Sequence, residues 1–303
     1  MIGRLYPLRL IPERTNINFM GKRWISFTLS ILMMIMSIGL IFSKGLNFGI
    51  DFTGGILIEA RSSTPVDIAK MRYVLSNLNL GEVALQTYGS DQDLIIRVGV
   101  NKSQSLSDTK SIEAIKTALS TNFQTAMEYR KIDYVGPQIG AELIKNGILA
   151  TIFSFIAIMI YISFRFEWQY GVGLLCALVH DAIVTIGFIS LTNLEFNLTS
   201  IAAILTIIGY SVNDSVVIYD RIRENVKKPK KLNLYNLLNI SINETLSRTI
   251  LTVMTTLLST LALILFGGEA IKSFSIVMFF GIIIGTYSSI YISAPILIYL
   301  EKK

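Results

Sequence analysis

Little in this chain could build a covalently stapled or metal-centred protein. Its 303 residues include one cysteine, Cys176, and one histidine, His180. A lone thiol excludes an intrachain disulfide, and Cys176, set in an apolar run, reads as a small buried residue. Charge is also scarce. Asp, Glu, Lys and Arg make up 16% of the residues, against about 25% in soluble domains, a deficit that points to lipid. The apolar residues are 52% of the chain and gather in long runs. The net charge of +6 lies beside those runs, so it reads as a topology signal and not as a nucleic-acid footprint.

A helix needs roughly 20 mostly apolar residues to cross the hydrocarbon core. Six segments qualify: about 24–42, 147–164, 170–191, 196–219, 249–266 and 274–300. The first follows a basic stretch, as a signal peptide does, but it is too long for an h-region and no A-x-A-like site follows, so a retained span is expected. Arg4, Arg9, Arg14, Lys22 and Arg23 precede it. Arg165 lies between spans two and three, and Arg221, Arg223, Lys227, Lys228, Lys230, Lys231 and Arg248 lie between spans four and five. Lys302 and Lys303 end the chain. The turns on the other side carry a single lysine, Lys272. The positive-inside rule therefore predicts cytoplasmic termini: segment 1–23 inside, a first helix at 24–43, an external domain at 44–142, a five-helix region at 143–300 with a cytoplasmic loop at 220–248, and a tail at 301–303.

In the external segment, Ile56–Ala60, Val83–Tyr88, Asp93–Val100 and Tyr129–Val135 read as strands. Thr64–Leu78 and Ser107–Leu119 read as helices, with apolar residues recurring at helical spacing. The order β-α-β-β-α-β predicts a ferredoxin-like α/β domain inserted between the first two spans of a membrane six-helix bundle. The segment shows no catalytic constellation, and no enzyme activity, metal or cofactor is expected.

The polar groups inside the spans need a local reason, because an aspartate at the bilayer centre costs about 2.5–3.5 kcal/mol on insertion scales. His180-Asp181 lie near the middle of span three, and Asn213-Asp214 lie in span four, followed by Asp220-Arg221. Asp214 precedes Arg221 by about two turns on one helix face, roughly 10 Å deeper. A desolvated carboxyl holds its proton and a nearby cation releases it, so a helix that brings and withdraws a cation makes such a group a proton carrier. Arg248, at the mouth of span five, is the candidate cation. The competing reading makes these groups static inter-helix hydrogen bonds, with His180 the fixed partner of Asp181 and Arg248 snorkelling to the headgroups. Thr252, Thr255, Thr256 and Ser259 on span five, and Gly281, Gly285, Ser289 and Ser293 on span six, form small-residue faces for close packing. Pro295 is expected to kink span six.

At this point several motifs resemble the SecD/SecF family. Phe48-Gly49-Ile50-Asp51-Phe52-Thr53-Gly54-Gly55 is similar to its opening signature, and Val135-Gly136-Pro137-Gln138-Ile139-Gly140 to the stretch before its second span. Leu178–Asp181, Gly209–Asn225 (with Asn213, Asp214, Asp220 and Arg221) and Asn243–Thr252 (with Arg248) resemble the SecF branch. The resemblance implies an RND-type membrane fold in the inner membrane. It also implies a complex with SecD, association with the SecYEG channel, SecA and YajC, and use of the proton motive force to draw translocating polypeptides outward. The family's intramembrane acid falls on Asp214 and its functional arginine on Arg248, and the matching acid of SecD must come from that partner. The alternatives are a stand-alone RND-type exporter, which usually repeats this half within one chain, and a scaffold that conducts no protons.

Overall fold

The computed structural model describes residues 15–88, 90–99, 108–123, 126–228 and 232–300. Arg4, Arg9, Arg14, Val100, Ser107, Lys230, Lys231, Lys302 and Lys303, all used in the sequence reading, lie outside these residues. The described chain forms two compact units, residues 48–149 and the remainder.

The smaller unit is built on four antiparallel strands: β1 (Gly55–Ser62), β2 (Val83–Tyr88), β3 (Ser90–Val98) and β4 (Met127–Val135). Their order in the sheet is β2-β3-β1-β4, the ferredoxin-like arrangement. One row across the sheet is Leu85, Ile96, Ile58 and Ile132, so strand alternation puts apolar side chains on one face. Helices α1 (Ile68–Ser76) and α2 (Asp108–Asn122) cover that face with Met71, Leu75, Ile115 and Leu119. Asp67 caps α1 by accepting from Ala69 N at 2.9 Å and Lys70 N at 3.1 Å, which starts the helix four residues after Thr64. Asp93 ties three strands together on the other face. It accepts from Ser90 Oγ at 2.7 Å, Arg61 Nη2 at 3.0 Å and Arg130 Nη1 at 3.1 Å.

The family signature sits at the entrance to this sheet. Gly49 precedes the single helical turn Ile50–Thr53, and Gly54 follows it at φ +71°. Gly55 has φ +130°, and a Cβ there would lie 2.6 Å from the Val98 carbonyl oxygen. The double glycine therefore makes a turn and a close approach that no side chain fits. Gly140, in the first turns of the second span, packs against the Phe52 carbonyl, where a Cβ would lie 2.8 Å away.

Six helices are long and apolar enough, by length and composition, to cross a membrane. They are Arg23–Lys44, Pro137–Arg165, Trp168–Thr192, Leu198–Val226, Leu234–Phe266 and a sixth that runs from Glu269 to Leu300 through a π-helical turn at Ser289–Ser293. Pro137 takes the first helical position, where a missing N–H costs nothing. Asn197 and Asn233 cap the fourth and fifth spans. Of the segment 220–248, read as a loop, the two ends are helical: the fourth span continues to Val226 and the fifth begins at Leu234. Polar residues extend these helices past the apolar stretch because each turn still satisfies its own backbone.

The third, fourth and sixth spans are the most buried, while the first, second and fifth are largely exposed. The predicted stripe on the sixth span meets one of equal period on the fourth. Gly281 packs on Ile207 and Gly285 on Ser211, Ser289 bonds Ser215, and Ser293 bonds Tyr219. The departure from regular helix expected at Pro295 is the wide turn just before it. Proline has no N–H for the Tyr291 carbonyl and its ring crowds that oxygen. Cys176, expected to be buried, faces outward on the third span, because Ala177 and Leu178 occupy the inward face.

Candidate functional site

Two buried aspartates occupy the bundle in different surroundings. Asp181 is 0% exposed and fully engaged. Its Oδ2 accepts from Ser211 Oγ at 2.8 Å and Ser288 Oγ at 2.7 Å, and its Oδ1 lies 3.0 Å from His180 Nδ1. Gly285 leaves room for this cage, since a Cβ there would lie 3.2 Å from Ser211 Cβ. Hydroxyls continue the network along the fourth and sixth spans: Ser215 donates to Ser289 Oγ at 3.0 Å, and Ser289 donates to the Ser211 carbonyl at 3.2 Å. Hydroxyls from the fourth and sixth spans thus donate to this carboxyl group, which lowers the cost of burying it. His180 is its neighbour, as expected; its Nε2 is buried without a hydrogen-bond partner among the described residues.

Asp214 lies on the side of the fourth span that meets the fifth. It is 3% exposed, and its Oδ2 has no hydrogen-bond partner among the described residues. The fifth-span groups that face it are Thr249 and Arg248. The Thr249 hydroxyl is also buried and unpartnered, as is that of Tyr210, which sits against Thr252 and Thr256. Arg248 is exposed, and among the described residues its guanidinium makes no ion pair. A buried carboxyl with an unused acceptor, beside a cation not bonded to it, is the kind of site whose charge state can change when neighbours move.

The remaining predicted residues separate from this pair. Asn213 is exposed, whereas Asp214 is buried. Asp220 pairs with Arg165 at 3.0 Å. Arg221, although on the Asp214 side of its helix, is occupied by Glu224 at 2.6 Å and Glu244 at 2.7 Å. The sequence reading missed Ser211, Ser288 and Glu244. Serines beside glycines read as packing, and Glu244 sits among polar residues at a helix end; only pairing across helices reveals them. Among the described residues, no three His, Cys, Asp or Glu side chains converge as a metal site.

Comparison with known proteins shows the family of the chain. Residues 114–303 match the model of the protein export membrane protein SecD/SecF, C-terminal, and residues 39–66 match the SecD/SecF GG motif. The protein translocase subunit SecF of Rickettsia rickettsii (strain Sheila Smith) is 60% identical over 301 residues, covering 99% of this chain and 97% of its own. That of Rickettsia felis is 58% identical over 294 residues, covering 97% and 95%. The crystal structure of SecDF from Thermus thermophilus, described as a translocon-associated membrane protein, superposes with a TM-score of 0.85 at 35% identity over 96% of this chain. SecDF in a super-membrane-facing form gives 0.69 at 36% identity over the same share. This chain covers 39% of each of those longer chains. With such identity along nearly all of its length, the chain belongs to the SecF family of protein translocase subunits.

Proposed function

We propose that this subunit, together with SecD, converts the proton motive force into late movement of polypeptides through the Sec translocase, and that Asp214 is the group that takes up and releases the proton. The observation that carries the reading is the buried, under-bonded Asp214 carboxyl beside the unpaired Arg248. Asp181 contrasts with it, because both of its carboxyl oxygens have hydrogen-bond partners. Approach of Arg248 favours the charged form of Asp214, and withdrawal favours the protonated one. One charge crossing 100 mV is worth about 2.3 kcal/mol, enough to bias a conformational equilibrium between two helix arrangements.

A partner in the membrane is supported by the outward face of the fourth span. Ala202, Thr206, Gly209 and Asn213 are all exposed there, and nothing lies within 4 Å of a Cβ on Gly209. Lipid tails satisfy neither Asn213 nor this notch, whereas a second helix does both. SecD is the partner in this reading, and SecYEG, SecA and YajC are the assembly around it. The basic residues Lys22, Arg23, Arg165, Arg221, Arg223, Lys227 and Lys228 support an inner-membrane orientation with both termini in the cytoplasm and the α/β domain outside.

Asp214→Asn tests the reading. The complex should assemble normally, while export stimulated by the proton gradient falls to the level without a gradient. Export at the wild-type rate removes Asp214 from the mechanism. A scaffold that conducts no protons predicts that wild-type rate, together with failure when the whole subunit is deleted.

A further inference from the structure

Glu244 lies at the basic end of the fifth span, one turn before Arg248. Its Oε2 accepts from two fourth-span groups, Arg221 Nε at 2.7 Å and Asn225 Nδ2 at 2.8 Å. Asn225 Nδ2 also donates to Ser241 Oγ at 2.9 Å, and Lys228 Nζ donates to Asn225 Oδ1 at 2.6 Å. The two spans are therefore pinned together here. About one to three turns farther in, Asp214, Thr249 and Tyr210 each bury a polar atom without a partner among the described residues.

Arg221 and Glu244 also form part of the wall of a cavity of about 430 Å³, lined besides by Thr15, Asn16, Asn239, Ile240 and Asn243. The segment before the first span forms its other side. Ile17 N donates to Asn243 Oδ1 at 2.8 Å, Asn243 Nδ2 donates to the Ile17 carbonyl at 2.8 Å, and Phe19 N donates to Asn239 Oδ1 at 2.8 Å. A space of this size and polarity holds several waters. Asp214 is not among its lining residues.

We infer that the Arg221–Glu244 pair, braced by Asn225, is the gate that separates this water-holding cavity from Asp214. The inference rests on proton exchange at Asp214. Closed, the gate confines that exchange to the opposite side of the membrane; parted, it lets water connect the cavity to the buried carboxyl. The side chains of Arg221 and Glu244 are 35% and 34% exposed, so solvent screens the pair and parting it costs less than parting a buried one. Glu244 and Arg248 stand four residues apart on one helix face. A freed Glu244 therefore offers Arg248 a second carboxylate, so opening the gate also draws the cation away from Asp214.

The test joins Arg221→Cys with Glu244→Cys in a Cys176→Ser background, in the complete complex in inverted membrane vesicles. The unbridged protein should dissipate a proton gradient several-fold faster than the wild type. Bridging the two thiols with a short bifunctional methanethiosulfonate should restore tightness and halt gradient-stimulated export, and reduction should reverse both effects. Glu244→Gln, which keeps an acceptor for Asn225, should leak in the same sense. Adding Asp214→Asn to any leaking variant should seal it. Unchanged gradient decay and export before and after verified bridging overturns the gate and leaves the role of Asp214 to its own experiment. A leak that survives Asp214→Asn overturns the route through Asp214.

Discussion

Asp181→Ala is expected to loosen the bundle without touching the group that exchanges protons. Two inter-helix bonds are lost, those from Ser211 and Ser288 at 2.8 and 2.7 Å. Inter-helix hydrogen bonds in membranes average about 0.6 kcal/mol and reach about 1.7. Short bonds to a fully buried carboxylate belong near the top of that range, so the pair contributes about 2–3 kcal/mol. The void left by the side chain adds about 1 kcal/mol, giving a loss of about 3–4 kcal/mol. His180 is the adjacent residue on the same helix, so its bond does not join helices and is left out. A double-mutant cycle with Ser288→Ala, followed by detergent-titrated unfolding of the purified chain, isolates one bond; the expected coupling is about 1–1.5 kcal/mol. Strictly additive single variants, or a loss below about 1 kcal/mol for Asp181→Ala, would refute the cage. Asp181→Asn, which keeps one acceptor oxygen, should retain gradient-driven export.

Asp93 predicts the acid response of the α/β domain. The Ser90 hydroxyl holds its carboxyl below the usual carboxylate range; burial opposes this in part, and the Arg61 and Arg130 guanidinium groups add to the lowering. With the folded value below the unfolded one, the stabilisation is complete above about pH 4 and is lost as pH falls through the lower folded value. Both arginines are around 40% exposed, so screening limits the contribution to about 1–2 kcal/mol. Asp93→Asn should flatten the acid limb of a denaturation series from about pH 5 to pH 2, and an unchanged slope would count against the ion cluster. Gly55→Ala should cost about 2–3 kcal/mol, because a side chain at φ +130° meets the Val98 carbonyl. Hydrogen exchange in Gly55–Ser62 and Ser90–Val98 should rise, and wild-type protection there would contradict the close approach.

The six spans and the order of elements in the α/β domain were legible because both depend on the length and period of apolar runs, which a linear chain displays. Asp214 was legible for the opposite reason, since a carboxylate in such a run breaks the pattern. The environment that separates Asp214 from Asp181 was not. Ser211 lies 30 residues from Asp181 and Ser288 lies 107 away, and each serine taken alone suits close packing equally well. Which way Asn213 and Cys176 point depends on a helix phase set by neighbours, and hydropathy does not carry that phase. Glu244 and Asn243 fall in a family motif within the segment read as a connecting loop, and the motif names no partner for either. Their roles emerge once the fifth helix starts at Leu234 and folds that stretch against the fourth.

The wide turn at Ser289–Ser293 has a geometric consequence for the sixth span. On an ideal helix of 3.6 residues per turn, residues spaced by four creep around the axis by about 40° at each step. Three steps from Gly281 would carry Ser293 about a third of the way round and off the fourth span. A turn that takes in an extra residue winds that creep back, so Ser293 still meets Tyr219. The sixth span thereby keeps its small-residue face on the fourth over four consecutive contacts, down to the turn before Pro295.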